Sequence, residues 1–146
     1  MTRTADQAQP FKALVQWLKD ALRETEQFTL SYAAEASEFI RFNHAKVRQA
    51  GQVQQASVHF KLIDNGRHAD LSITLSNDPE VDRQRLADGL QQLRETLPLL
   101  PADPYLMLNH THWQSHHVQD QPLPGSEQVV EEIGRAGGGL DLVGIY

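Results

Sequence analysis

The stretch Ala56–Ser76, "ASVHFKLIDNGRHADLSITLS", decides the fold. Ala56, Val58, Phe60 and Leu62 alternate with polar residues, and Ala69, Leu71, Ile73 and Leu75 do the same on the return. A period of two places each set on one side of a strand. Asn65-Gly66 lies between them, a pair that accepts the positive φ values of a two-residue hairpin turn. The stretch therefore predicts a β-hairpin with one apolar face, and that face needs a cover.

Upstream the same period recurs. "FTLSYAAE" (28–35) and "SEFIRF" (37–42) read as two strands parted at Glu35 and Ala36, and "KVRQAGQVQQ" (46–55) as extended polar chain with Gly51 at a bend or bulge. The cover comes from helices. "PFKALVQWLKDALRE" (10–24) puts Phe11, Leu14, Val15, Leu18, Ala21 and Leu22 on one helical face, with Pro10 in the first turn. A second helix has Asp78 as cap, Pro79 at its first position and a core stripe of Leu86, Leu90, Leu93 and Leu97. Pro98 and Pro101 end it. After a looser region (102–125), Ser126 is expected to cap a third helix carrying Val129, Val130 and Ile133. "AGGG" stops that helix, and "LDLVGIY" (140–146) reads as a buried strand. The expected fold is α+β. It comprises a twisted, mainly antiparallel sheet of about five strands, with the first and second helices packed on one face. The third helix and a terminal strand lie near the C-terminus.

Composition narrows the function classes. A chain of 146 residues fits one domain, 1–146, and 40% hydrophobic with 22% charged residues is ordinary for a globular protein. There is no cysteine, which removes disulfides, thiolate metal sites and cysteine nucleophiles and suits a reducing cytoplasm. No signal peptide or transmembrane run is legible, so a cytoplasmic location without membrane contact is expected. A formal charge of −6 opposes nucleic-acid binding, which needs a basic face. Arg41, Lys46 and Arg48 make a local basic strip, read as solvated charges on an exposed hairpin.

Catalytic patterns are sparse. Gly137–Gly139 follow a helix and precede a strand, the reverse of a phosphate loop, so they read as a helix C-cap. No G-x-S-x-G elbow occurs, and Glu131 and Glu132 are adjacent on a helix and diverge. "HTHWQSHH" (110–117) holds four of seven histidines. Zinc requires three or four convergent ligands on a firm scaffold. His110 and His112 would share a strand face, whereas His116 and His117 would diverge, and no H-E-x-x-H base is present. The cluster reads as an exposed polar loop, with a small zinc enzyme as the competing reading.

The stretch from Ser37 to Leu75 resembles the N-terminal region of the TldD/PmbA family. An Arg-Phe pair and an Asn, here Arg41, Phe42 and Asn43, lead into a polar strand bearing Gln49. A hairpin strand ending in x-G-R follows, here Gly66 and Arg67. The helix from Asp78, "DPYL" (103–106) and "GGGLDLVGIY" (137–146) keep the family's order, so the resemblance runs from about Phe11 onward. It leaves the loop from Asn109 to Gln121 unmatched.

This resemblance implies a zinc metalloprotease parent, under an older label a modulator of DNA gyrase, that forms homo- or heterodimers and acts on peptides. The family's metal signature, H-E-x-x-x-H, is expected downstream of this region. The chain contains no His-Glu pair, so no catalytic residue, metal ligand or cofactor is assigned to it. The abrupt apolar end at Tyr146 reads as a domain cut from a longer protein. The expected function is a non-catalytic N-terminal domain serving subunit association or a peptide-substrate channel. The alternative is a stand-alone protein-binding module without enzymatic activity. Arg41 and Asn43, beside the turn into the polar strand, are the candidate interface or peptide-binding residues.

Overall fold

The computed structural model describes residues 4–119 and 121–146. The chain is α+β: α1 (Thr4–Ala21), β1 (Gln27–Asn43), β2 (Lys46–Asp64), β3 (Arg67–Thr74), α2 (Pro79–Thr96), a short 3-10 turn (Leu97–Leu99), α3 (Ser126–Ala136) and β4 (Gly144–Ile145). The strands form one antiparallel sheet in the order β3-β2-β1-β4.

The sheet has four strands where about five were expected. Both segments parted at Glu35 and Ala36 belong to the 17-residue β1, and both the polar stretch and the first arm of the hairpin belong to the 19-residue β2. Glu35 and Ala36, read as a strand break, are extended chain with solvent-exposed side chains. The Gln55 amide donates to the Glu35 carboxylate at 3.0 Å, which ties β2 to β1 across one such position. The sequence discontinuity has a tertiary counterpart. Packing divides the chain into two compact units, 1–35 with 54–108 and 36–53 with 109–146, so the division crosses both long strands near the polar residues.

In the first unit, Leu14 and Leu18 of α1, Leu86, Leu90 and Leu93 of α2, and Ala56, Val58, Phe60 and Leu62 of β2 form one buried core. The hairpin pairs Asp64 with Arg67 across Asn65 and Gly66, whose φ values are 48° and 71°. Asp78 caps α2 as expected, its carboxylate accepting from the backbone N–H groups of Glu80 and Val81. Buried Asp82 accepts from the N–H and hydroxyl of Ser76 at 2.7 and 2.8 Å, fixing the chain's entry into the helix. The start of α1 differs from expectation: the helix begins at Thr4, so Pro10 lies inside it. A proline there leaves one carbonyl of the preceding turn without its helical donor.

In the second unit, Val129 of α3 packs on Ile40 and Phe42 of β1, with Val130, Ile133 and Leu142 alongside. Two local expectations are corrected. The N-cap of α3 is Gly125, not Ser126, and no side chain caps it. The Ser126 hydroxyl instead donates to Glu38 at 2.7 Å. The closing segment is not a buried strand either. Gly144 and Ile145 pair with Phe42 and Arg41, the Tyr146 N–H and C=O exchange hydrogen bonds with Ile40 at 3.0 and 3.1 Å, and Val143 and Ile145 are 72% and 66% exposed. An edge strand with one covered face leaves alternate apolar side chains in water.

The β1–β2 turn was not legible as a turn type. His44 and Ala45 hold φ values of 50° and 54°, the left-handed geometry usually given to Asn-Gly. The turn is held from outside, since the Ala45 N–H donates to the Leu142 carbonyl at 3.2 Å and His44 lies 2.6 Å from the Asp141 carboxylate. Because a Cβ is unfavourable in that region, Ala45→Gly is expected to raise stability by about 1 kcal/mol in urea denaturation.

Candidate functional site

The feature that sets this sheet apart is the free edge of β2. Along its outer side, β3 pairs with Ser57–Asp64, and the Leu75 N–H reaches the Ala56 carbonyl at 2.8 Å. From Lys46 to Gln55 the same side has no strand partner among the described residues. These residues are exposed apart from half-buried Gly51, and Val47 and Val53 remain 43% and 37% exposed. The Ala56 carbonyl faces outward toward β3, and backbone direction alternates along a strand. The N–H and C=O groups of Gln54 and Gln52 therefore also face outward, as an open ladder.

Beside this edge lies a groove of about 780 Å³. Glu38, Phe39 and Ile40 of β1 and Val47, Ala50, Gly51 and Gln52 of β2 line one part; Ser126, Glu127, Val130 and Glu131 of α3 line the other. Gly51 is there because of close approach rather than a bend. It sits within β2, and a Cβ on it would meet the Phe39 ring at 2.8 Å. The Glu38 carboxylate accepts from Ser126 on one oxygen and from the Gln52 amide on the other, each at 2.7 Å. These bonds, that from Ser126 foremost, hold its pKa below the ordinary 4.5 and keep it ionised.

Arg41 and Asn43 lie on the β1 side of this region. The Arg41 guanidinium stands 5.6 Å over the Phe39 ring, donates to Gln49 at 3.2 Å and leaves the residue exposed. Asn43 is half-buried at the end of β1, next to the turn whose left-handed positions are His44 and Ala45. Arg67 of the family-like x-G-R has a local structural role. Its Nε donates to the Leu100 carbonyl at 2.8 Å, and the Asp103 N–H donates to the Gly66 carbonyl at the same distance. His68 approaches Asp103 at 3.3 Å. A backbone donation from Tyr105, followed by His68, holds the Asp103 pKa below its usual range.

The four clustered histidines, His110, His112, His116 and His117, all lie exposed in a segment without helix or strand, and Trp113 beside them is 77% exposed. Asp120 of the same loop lies outside the described residues. Among the described residues no group of three or more His, Asp or Glu side chains is placed to hold a metal ion. No helix of the described residues is long and apolar enough to cross a membrane.

Sequence reasoning missed the groove. Glu38 and Ser126 are 88 residues apart and belong to no local motif, so only folding brings them together. The one available signal was Gly51 amid polar strand residues, which marked a close approach. No family model matches the chain, and neither does any curated protein or solved structure.

Proposed function

We propose that this chain is the non-catalytic N-terminal domain of a TldD/PmbA-like metallopeptidase, and that the free edge of β2 receives an extended segment. That segment would come from a partner subunit, in a homo- or heterodimer, or from a peptide substrate. The observation that carries the reading is the stretch from Lys46 to Gln55, whose outer side has no strand partner among the described residues, on a strand otherwise fixed in a sheet. An exposed edge invites pairing with another chain unless charge, proline or a bulge blunts it. Lys46 and Arg48 stand at one end only, and no proline interrupts the run. The resemblance around Arg41, Asn43, Gly66 and Arg67 supplies the family. Zinc then belongs to the parent's H-E-x-x-x-H motif rather than to these residues.

The test uses end-blocked peptides of eight residues with alternating valine and glutamine, followed by fluorescence anisotropy. Wild-type chain is expected to bind, and Gln54→Pro, which deletes one outward N–H, to weaken binding at least tenfold. Gln54→Thr keeps that N–H and serves as the folded control. Zinc added to the chain should produce no hydrolysis of the same peptides. Zinc-dependent cleavage abolished by replacing His110 and His112 would overturn the reading.

A further inference from the structure

The groove beside the free edge has a charge character that the edge itself lacks. Glu38, Glu127 and Glu131 line it, and among the described residues no lysine or arginine does. Glu127 and Glu131 have no hydrogen-bond or ion-pair partner among the described residues, and both are exposed on α3. Glu38 is fixed by Ser126 and Gln52, each of which uses only one of its acceptor sites, so it retains capacity for a further donor. Phe39, Ile40, Val47 and Val130 line the same groove with apolar surface. A bare acidic surface would need only solvent. Carboxylates set around apolar walls match a side chain with an apolar stem and a cationic head.

We infer that the groove between β2 and α3 selects an extended peptide carrying arginine or lysine, seated by pairing along the free edge of β2 with a basic side chain among Glu38, Glu127 and Glu131. The inference rests on the edge-pairing reading above and specifies the partner's chemistry. Side chains of an added strand alternate in direction, so one residue in two faces the groove. The arginine or lysine stem lies on Val47 and Val130 while the head meets the carboxylates. A guanidinium gains most, because its fork can address a carboxylate with two donors. The formal charge of −6 favours encounter with such a partner. Arg41 does not fill the groove itself, since its guanidinium is held by Gln49 and lies over the Phe39 ring.

The decisive measurement compares three end-blocked octapeptides in which valine alternates with arginine, glutamine or glutamate. Each is titrated against the full chain by fluorescence anisotropy at low and at 0.5 M salt. The arginine peptide is expected to bind about tenfold more tightly than the glutamine peptide at low salt, as two or three exposed ion pairs imply. The preference should shrink at high salt. Glu127→Gln with Glu131→Gln, both at exposed helix positions, should bring the two affinities within about twofold, chiefly by weakening the arginine peptide. Equal affinities in the wild type, with binding still lost in Gln54→Pro, would overturn the basic preference and leave edge pairing intact. Absence of binding by every peptide would overturn both. A dimer detected by sedimentation, insensitive to the glutamate replacements and competing with peptide, would assign the groove to a second copy of the chain and likewise overturn the inference.

Discussion

Phe60→Ala is expected to lower the unfolding free energy by about 3–5 kcal/mol, the largest loss from any single truncation in this chain. Phe60 is 0% exposed and heads the fully buried side chains, ahead of Leu18, Leu62, Leu86 and Val58. It lies in β2 at the centre of the core built from α1, α2 and the hairpin. Its ring meets that of Phe28 edge-on, with centroids 6.4 Å apart and planes at 66°. Removal therefore deletes apolar burial, opens a cavity that two helices and a sheet cannot collapse around, and forfeits an aromatic pair. Urea denaturation with an unchanged slope would assign the loss to the native core. A loss below about 1.5 kcal/mol would mean that Phe60 is not enclosed as described.

Glu26→Gln is expected to cost about 3 kcal/mol at neutral pH, the lower end for a buried pair because Arg94 keeps some contact with water. The Glu26 side chain is 4% exposed and that of Arg94 17%. Arg94 donates to both carboxylate oxygens of Glu26, each at 2.7 Å, and to the Ala21 carbonyl at 2.9 Å; the Arg23 N–H adds a bond at 2.8 Å. The pair clamps the end of α2 to the loop between α1 and β1. Replacing the carboxylate leaves a guanidinium with its charge unmatched, whereas Glu26→Gln combined with Arg94→Met removes the charge conflict. The double variant should therefore lose less than the sum of the singles.

The pH dependence follows from the same contacts. The Arg94 hydrogen bonds lower the Glu26 pKa from its ordinary 4.5, against the opposing effect of burial. A carboxylate with a lowered folded pKa contributes stability that is complete above the unfolded value. It is lost as pH falls through the folded one. Wild-type stability should accordingly decline below about pH 4.5, and Glu26→Gln should show less of that decline when denaturation midpoints are compared across acid pH.

These two residues differ in how far the sequence reveals them. Phe60 falls in a strict alternation beside Asn65-Gly66, so its strand, its face and its burial follow from period alone. The stripe of Leu86, Leu90 and Leu93 in α2 and Leu97 at its C-cap was equally legible, and all four are buried. Glu26 and Arg94 look like two ordinary surface charges in the sequence. Their pairing across 68 positions appears only when α2 returns past the end of α1. Ser126 misled for a related reason. Its position suits a cap, but a nearby Glu38 competes for the same hydroxyl, and the competitor lies on another element.

The sequence by itself determined the α+β class, the hairpin at Asn65-Gly66, the three helices and the faces that α1 and α2 bury. Those properties depend on short-range periodicity, turn chemistry and capping, which act within a few residues. Only the tertiary structure decided that the polar run from Lys46 to Gln55 is one continuous strand with an open edge. It also decided that the chain closes on β1 as a short exposed edge pairing from Gly144 to Tyr146, and that Glu38, Glu127 and Glu131 share one apolar-walled groove. Each of these depends on which elements meet and which edge is left without a neighbour. Polar strand residues carry no hydrophobic signal of that choice, because long-range pairing and not local preference sets it.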